Sequence, residues 1–223
     1  ERLEGEILDT RPLAGIVSYE PSELVVTVRA GTPLADLDAA LGEKGQVLAF
    51  EPPYFARGPG GGATVGGMVA SGLAGPARAA TGSVRDFVLG VQIVNGRGEL
   101  LSFGGQVMKN VAGYDVSRLM AGSLGTLALI AEVSLKVLPR APAEATLRFA
   151  GLDEGDMIRR VNTWGGLPLP LNASSWVHDA HDTAGPALYL RLRGAVAAVE
   201  AACSRLLREL PGERLHHAQV AAD

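Results

Sequence analysis

The chain of 223 residues is 47% hydrophobic and 20% charged, enough for one large folded domain or two modest ones. Its net charge is −4 with scattered basic residues, which excludes a nucleic-acid or anionic-membrane footprint and points to small-molecule or protein partners. A lone cysteine, Cys203, excludes an internal disulfide, no cysteine or histidine pair has metal-ligand spacing, and no apolar run approaches the ~18 residues of a spanning helix. No structural metal and a reducing, cytoplasmic setting are expected.

In chain order, residues 16–19 and the β-branched run 24–28 read as two strands broken at Pro21. Thr32 and Pro33 predict a helix start, with Thr32 as the cap and Pro33 at the first helical position. Leu34, Leu37 and Leu41 then mark a buried face that Gly45 ends. Residues 52–62 hold three prolines and four glycines without apolar periodicity and read as a loop. Runs 87–94 and 99–103 flank Asn95-Gly96-Arg97-Gly98 and predict a β-hairpin. A short helix over 116–121 and a long strand over 127–138 follow, and Pro139-Arg140-Ala141-Pro142 marks a domain boundary.

Beyond that boundary the pattern predicts a strand at 145–149, a helix at 154–164 and strands at 173–177 and 187–193. A last helix covers 195–210, with Val196, Val199, Cys203, Leu206, Leu207 and Leu210 on one side. This β-α-β-β-α order is most of a ferredoxin-like unit, with no final strand visible. The expected fold class is α+β, with one domain over 1–139 and a partial second domain over 144–223.

Two segments could carry chemistry. Residues 63–86 are dense in glycine, which lets backbone N–H groups approach an anion such as a diphosphate; the same glycines would also serve tight packing. Lys109-Asn110-Val111-Ala112-Gly113-Tyr114-Asp115 and Gly122-Ser123-Leu124-Gly125-Thr126 place small residues just before a buried strand, where a flat ring or a plain turn would fit. Neither segment contains the dinucleotide fingerprint or a nucleotide P-loop. Ser123 lies in a near miss to a nucleophile elbow without a histidine and an acid to complete it. His178, His181, His216 and His217 read as surface residues and Cys203 as core. The carboxylates Glu51, Asp86, Asp115 and Glu132 show no pairing in sequence.

At these segments the sequence resembles the flavoprotein family that binds FAD in the domain type of p-cresol methylhydroxylase (PCMH) and vanillyl-alcohol oxidase, in its glycolate oxidase branch. Glu51-Pro52-Pro53 and residues 63–67, 82–90, 103–115 and 122–139 carry the resemblance, which thins after Pro139. It implies two α+β subdomains sandwiching FAD, followed by a ferredoxin-like cap. It also implies a further strand and phosphate loop ahead of Glu1. Carried over by position, Gly60, Gly61, Gly62, Ala63, Thr64, Gly66 and Gly67 would meet the pyrophosphate and ribityl chain, and Ser71, Gly72 and Gly75 the neighbouring flavin region. Gly82, Ser83 and Asp86 join the cofactor-binding set, and Gly125, Thr126, Leu129 and Ile130 would approach the adenine or flavin edges. The family's usual Gly-Ser-Glu-Gly-Thr-Leu-Gly reads Gly122-Ser123-Leu124-Gly125-Thr126-Leu127-Ala128 here, losing an acid and a glycine.

The function so implied is an FAD-dependent oxidoreductase, a subunit of a glycolate or 2-hydroxy-acid oxidase with non-covalent FAD, passing electrons from a small hydroxy acid to iron–sulfur clusters. The implied partners are a second flavoprotein subunit and an iron–sulfur subunit. The implied location is the cytoplasm, or the inner-membrane periphery through those partners, and no catalytic residue is assigned. The alternatives are an independent D-lactate or other hydroxy-acid dehydrogenase and a structural subunit without flavin.

Overall fold

The computed structural model describes residues 6–54, 62–105, 114–178 and 185–215. In chain order the elements are β1 (Ile16–Glu20), β2 (Val25–Arg29), α1 (Leu34–Glu43), β3 (Gln46–Val47), α2 (Val65–Ser71), α3 (Arg78–Thr81), β4 (Val88–Val94), β5 (Leu100–Gly104), α4 (Val116–Leu119), β6 (Leu129–Lys136) and β7 (Leu138–Pro139). They continue with β8 (Ala143–Ala150), α5 (Glu154–Gly165), β9 (Leu171–Val177), β10 (Ala187–Gly194), α6 (Val196–Glu209) and β11 (Glu213–Leu215). The chain divides into two compact units, Glu1–Gly75 with Gly82–Arg140, and Pro76–Thr81 with Ala141–Asp223.

The first unit is built on an antiparallel sheet in the order β1-β2-β6-β4-β5. Alternation along the strands sends Val26 and Val28 of β2, Val133 and Leu135 of β6, and Ile93 of β4 to one side. There they pack with Leu34, Leu37 and Leu41 of α1 and Val65, Met68 and Val69 of α2. α1 begins one residue later than its sequence predicts. Pro33 takes the cap position with no side-chain cap bond, while the Thr32 hydroxyl donates to the Arg29 carbonyl at 2.7 Å and accepts the Gly15 N–H at 2.8 Å. That hydroxyl is spent on the turn after β2, so it is lost to the helix. The expected hairpin is present, with Val94 opposite Leu100, and the long predicted strand is divided into β6 and β7.

The second unit has the sheet order β11-β8-β10-β9, all antiparallel, which with α5 and α6 completes a β-α-β-β-α-β ferredoxin-like unit. The sequence shows no final strand, yet Glu213–Leu215 pairs with β8. Three residues are too few for a period, and Gly212 permits the approach: a Cβ there would lie 2.6 Å from the Arg148 carbonyl oxygen. Leu147, Phe149, Leu188, Leu190 and Leu192 pack with Val199, Cys203 and Leu206 of α6 in a separate core. Burial pushes the Cys203 thiol pKa up, as suits a core residue. Val196, expected on the buried side, is exposed. On the other face of the sheet the arginines are paired, Arg148 with Glu213 at 2.8 Å, Arg191 with Asn172 at 2.7 Å and Arg193 with Glu144.

Candidate functional site

The first glycine segment folds as a tight turn into α2. Thr64 is extended (φ −103°, ψ 157°) and its hydroxyl accepts the Gly67 N–H at 3.2 Å. The Val65 N–H donates to the Thr32 carbonyl at 2.9 Å, that of Gly66 to Ala30 at 2.7 Å, and that of Met68 to Thr64 at 2.8 Å. The N–H groups of the first helical turn are therefore engaged within the protein. Gly66 is needed for packing: a Cβ would lie 2.6 Å from the Ala30 Cβ. The accessible part of the turn is Gly62 to Thr64 together with Gly67. Gly60 and Gly61 lie outside the described residues, as do 109–113 of the second segment and His181, His216 and His217.

The two segments that the sequence singles out meet along a backbone seam. The Gly122 N–H donates to the Val69 carbonyl at 3.0 Å and the Leu124 N–H to that of Ala70 at 2.9 Å. At the end of α2, Gly72 has φ +64°, and a Cβ there would lie 2.8 Å from the Gly122 Cα. Only glycine meets both demands at that point. The Thr126 hydroxyl donates to the Ser123 carbonyl at 2.6 Å, closing a turn that leaves Leu124 with φ +52°. A leucine held there is strained, the kind of backbone feature that gathers at binding sites.

Beside the seam lie Leu73, 46% exposed, Leu124, 73%, and Leu127, 52%. Gly125 and Thr126 are also exposed, and a Cβ on Gly122 or Gly125 would meet nothing within 4 Å. Ile130 is buried in the core and Leu129 half-buried, so β6 brings only its start to this region. The Ser71 hydroxyl donates to the Met68 carbonyl at 3.0 Å. Gly75 is tied elsewhere: its N–H donates to the Phe50 carbonyl at 2.9 Å.

Gly82, Ser83 and Asp86 form a local cap. The Ser83 N–H and hydroxyl donate to the Asp86 carboxylate at 2.8 Å and 3.0 Å, and the bond from that N–H is the main reason its pKa lies below the usual value. A concave feature of about 150 Å³ lies against β4, β5 and β6, where Gln92 and Glu132 stand opposite each other beside Ser102 and Ser134. Among the described residues no group of three or more metal-ligating side chains could hold a metal ion, and no helix is long and apolar enough to cross a membrane.

The residues at the seam fit a flat cofactor. The Ser123 hydroxyl is buried without a hydrogen-bond partner, open glycine backbone flanks it, and three leucines present apolar surface that water serves poorly.

Comparisons with known proteins bear on the family of the chain. The family described as FAD binding domain matches residues 2–104. This match places in the chain an FAD-binding domain of the PCMH-type FAD-linked oxidase family, whose cofactor is FAD. It is 48% identical over 208 residues to glycolate oxidase subunit GlcE of Escherichia coli, covering 93% of this chain and 55% of that protein. With glycolate oxidase subunit GlcD of Bacillus subtilis it shares 32% identity, covering 64% of this chain and 29% of that protein. The chain thus spans about half, or less, of the relatives it matches. A solved alkyldihydroxyacetonephosphate synthase matches with a TM-score of 0.70 at 17% identity, over 92% of this chain and 42% of that one, and shares the fold.

Proposed function

We propose that the chain is the FAD-binding part of a subunit of a glycolate or related 2-hydroxy-acid oxidase complex, with the first unit as the flavin-binding domain and the second as the cap. The observation that carries the reading is the seam between α2 and residues 122–126, in a chain that runs with a glycolate oxidase subunit over 93% of its length. FAD lies without a covalent link against 62–75 and 122–130, with the backbone of Gly62 to Thr64 and Gly125 toward its polar parts. Leu73, Leu124 and Leu127 take its apolar edge and exclude water there.

When bound, FAD supplies two-electron oxidation of the hydroxyl-bearing α-carbon of the acid, and the electrons leave to an iron–sulfur partner subunit. A second flavoprotein subunit completes the complex, as suits a chain similar to proteins named as subunits. The complex works in the cytoplasm or at the inner-membrane periphery through its partners.

Two measurements on the full-length protein test this. Flavin absorption bands are expected as purified, or on adding FAD, and anaerobic glycolate is expected to bleach them once the partner subunits are present. A protein that neither carries nor takes up FAD would overturn the proposal. Bleaching by D-lactate with the isolated protein, and none by glycolate with the complex, would favour an independent dehydrogenase.

A further inference from the structure

The wall described above ends at Gly75, and Gly75 rests on residues 50–54, a segment held at its start by the buried Phe50 and by the Glu51 N–H, which donates to the Leu48 carbonyl at 3.1 Å. The Gly75 N–H donates to the Phe50 carbonyl at 2.9 Å, and a Cβ on Gly75 would lie 2.5 Å from the Glu51 carbonyl oxygen. Phe50 is buried, with its ring centroid 5.2 Å from that of Phe87. Glu51 then has φ +51°, outside the usual range for a residue with a side chain. Pro52 and Pro53 follow and bring no N–H with which to bond the rest of the fold. The next residue, Tyr54, supplies a side-chain tie: its hydroxyl donates to the carboxylate of Asp38 on α1. α1 is a firm anchor, since Leu34, Leu37 and Leu41 are fully buried.

We propose that Tyr54 and Asp38 are positioning residues for the flavin wall, their hydrogen bond holding 50–54 against α1 so that Phe50 and Glu51 present a fixed seat to Gly75. This rests on the placing of FAD against 62–75. Asp38 is half-buried, and desolvation raises its pKa while the Tyr54 hydroxyl and the Arg140 charge oppose that rise. Desolvation and the neighbouring carboxylate both raise the pKa of Tyr54, so its hydroxyl keeps its proton and remains a donor.

The test uses the full-length protein with Tyr54→Phe, Asp38→Ala and the double variant. Two quantities are read: hydrogen exchange at the Gly75 amide without FAD, and FAD affinity by quenching of flavin fluorescence. Each single variant is expected to speed Gly75 exchange and to weaken FAD binding by about tenfold. The double variant is expected to be no worse than the weaker-binding single, because both remove one interaction. Far-UV circular dichroism confirms that each variant is folded, and Tyr54→Phe, which loses a single oxygen, keeps the test open should Asp38→Ala fail to fold. Unchanged Gly75 exchange and FAD affinity in folded Tyr54→Phe would overturn the inference, as would additive losses in the double variant. Gly72→Val separates the two levels. If it abolishes FAD binding while Tyr54→Phe leaves it intact, the positioning role alone is wrong. If Gly72→Val also leaves affinity unchanged, the placing of FAD is wrong and the inference falls with it.

Discussion

Gly72→Ala is the substitution whose consequence the geometry fixes most closely. The new Cβ would stand 2.8 Å from the Gly122 Cα and 2.9 Å from its nitrogen, both backbone atoms that cannot swing aside as a side chain would. Holding a non-glycine residue at φ +64° costs roughly 1–2 kcal/mol, and forcing the two backbones apart costs about 1–3 kcal/mol more. The sum is roughly 2–5 kcal/mol. Gly125→Ala is the matched control. It shares a positive φ, +75°, but its Cβ would meet nothing within 4 Å, so only the conformational cost of roughly 1–2 kcal/mol applies. Urea unfolding of the full-length protein without FAD, read at constant m-value, is expected to separate the two variants by at least about 1 kcal/mol. Opening the seam also pulls the Gly122 and Leu124 N–H groups from Val69 and Ala70, so FAD affinity is expected to fall about tenfold for each 1.4 kcal/mol spent on closing it again. Equal destabilisation by the two substitutions would refute the close approach of Gly72 and Gly122.

Three further outcomes follow from individual residues. Leu124→Gly relieves the backbone strain at φ +52° and is expected to raise stability of the FAD-free protein by up to about 1 kcal/mol in urea unfolding, while removing an apolar contact for FAD. Thr64→Ala removes the acceptor for the Gly67 N–H and is expected to cost about 1 kcal/mol, with Thr64→Ser restoring most of it. Asp86 has a pKa below its ordinary value because it accepts the Ser83 N–H and hydroxyl, so it favours the folded state only while ionised. That contribution is complete above the ordinary carboxylate value near ~4 and is lost as pH falls through the lower folded value. Asp86→Asn is expected to flatten the acid limb of a stability–pH curve slightly, since the carboxylate is exposed, and an unchanged limb would count against the cap.

Much of the fold is legible in the sequence because its signals are local. The β-branched run at 24–28, the leucines 34, 37 and 41 and the Asn95-Gly96 turn each specify an element through neighbours a few residues apart. What escapes is what distant partners decide. Thr32 has the side chain of a helix cap, but Gly15 ahead of β1 and Arg29 at the end of β2 claim its hydroxyl. β11 is too short to carry a pattern and exists because Gly212 lets it lie against β8.

The same division holds at the site. Glycine density points to both segments, but the seam between them depends on carbonyls of Val69 and Ala70 that no spacing reveals. Gly66 looks as suited to an anion as Gly67 does, and only the position of Ala30 gives it a packing role. Leu124 and Glu51 carry positive φ with side chains that do not advertise it. The tie from Tyr54 to Asp38 joins residues 16 apart with no motif between them.

The most direct test of the flavin wall is hydrogen exchange on the full-length protein with and without saturating FAD. Protection on adding FAD is expected to concentrate at the amides of 62–67 and 122–127, with little change in strands β8 and β10 of the second unit, which pair with each other and take no part in the seam. FAD that binds while leaving 62–67 and 122–127 unprotected would contradict the assignment of the seam as the site.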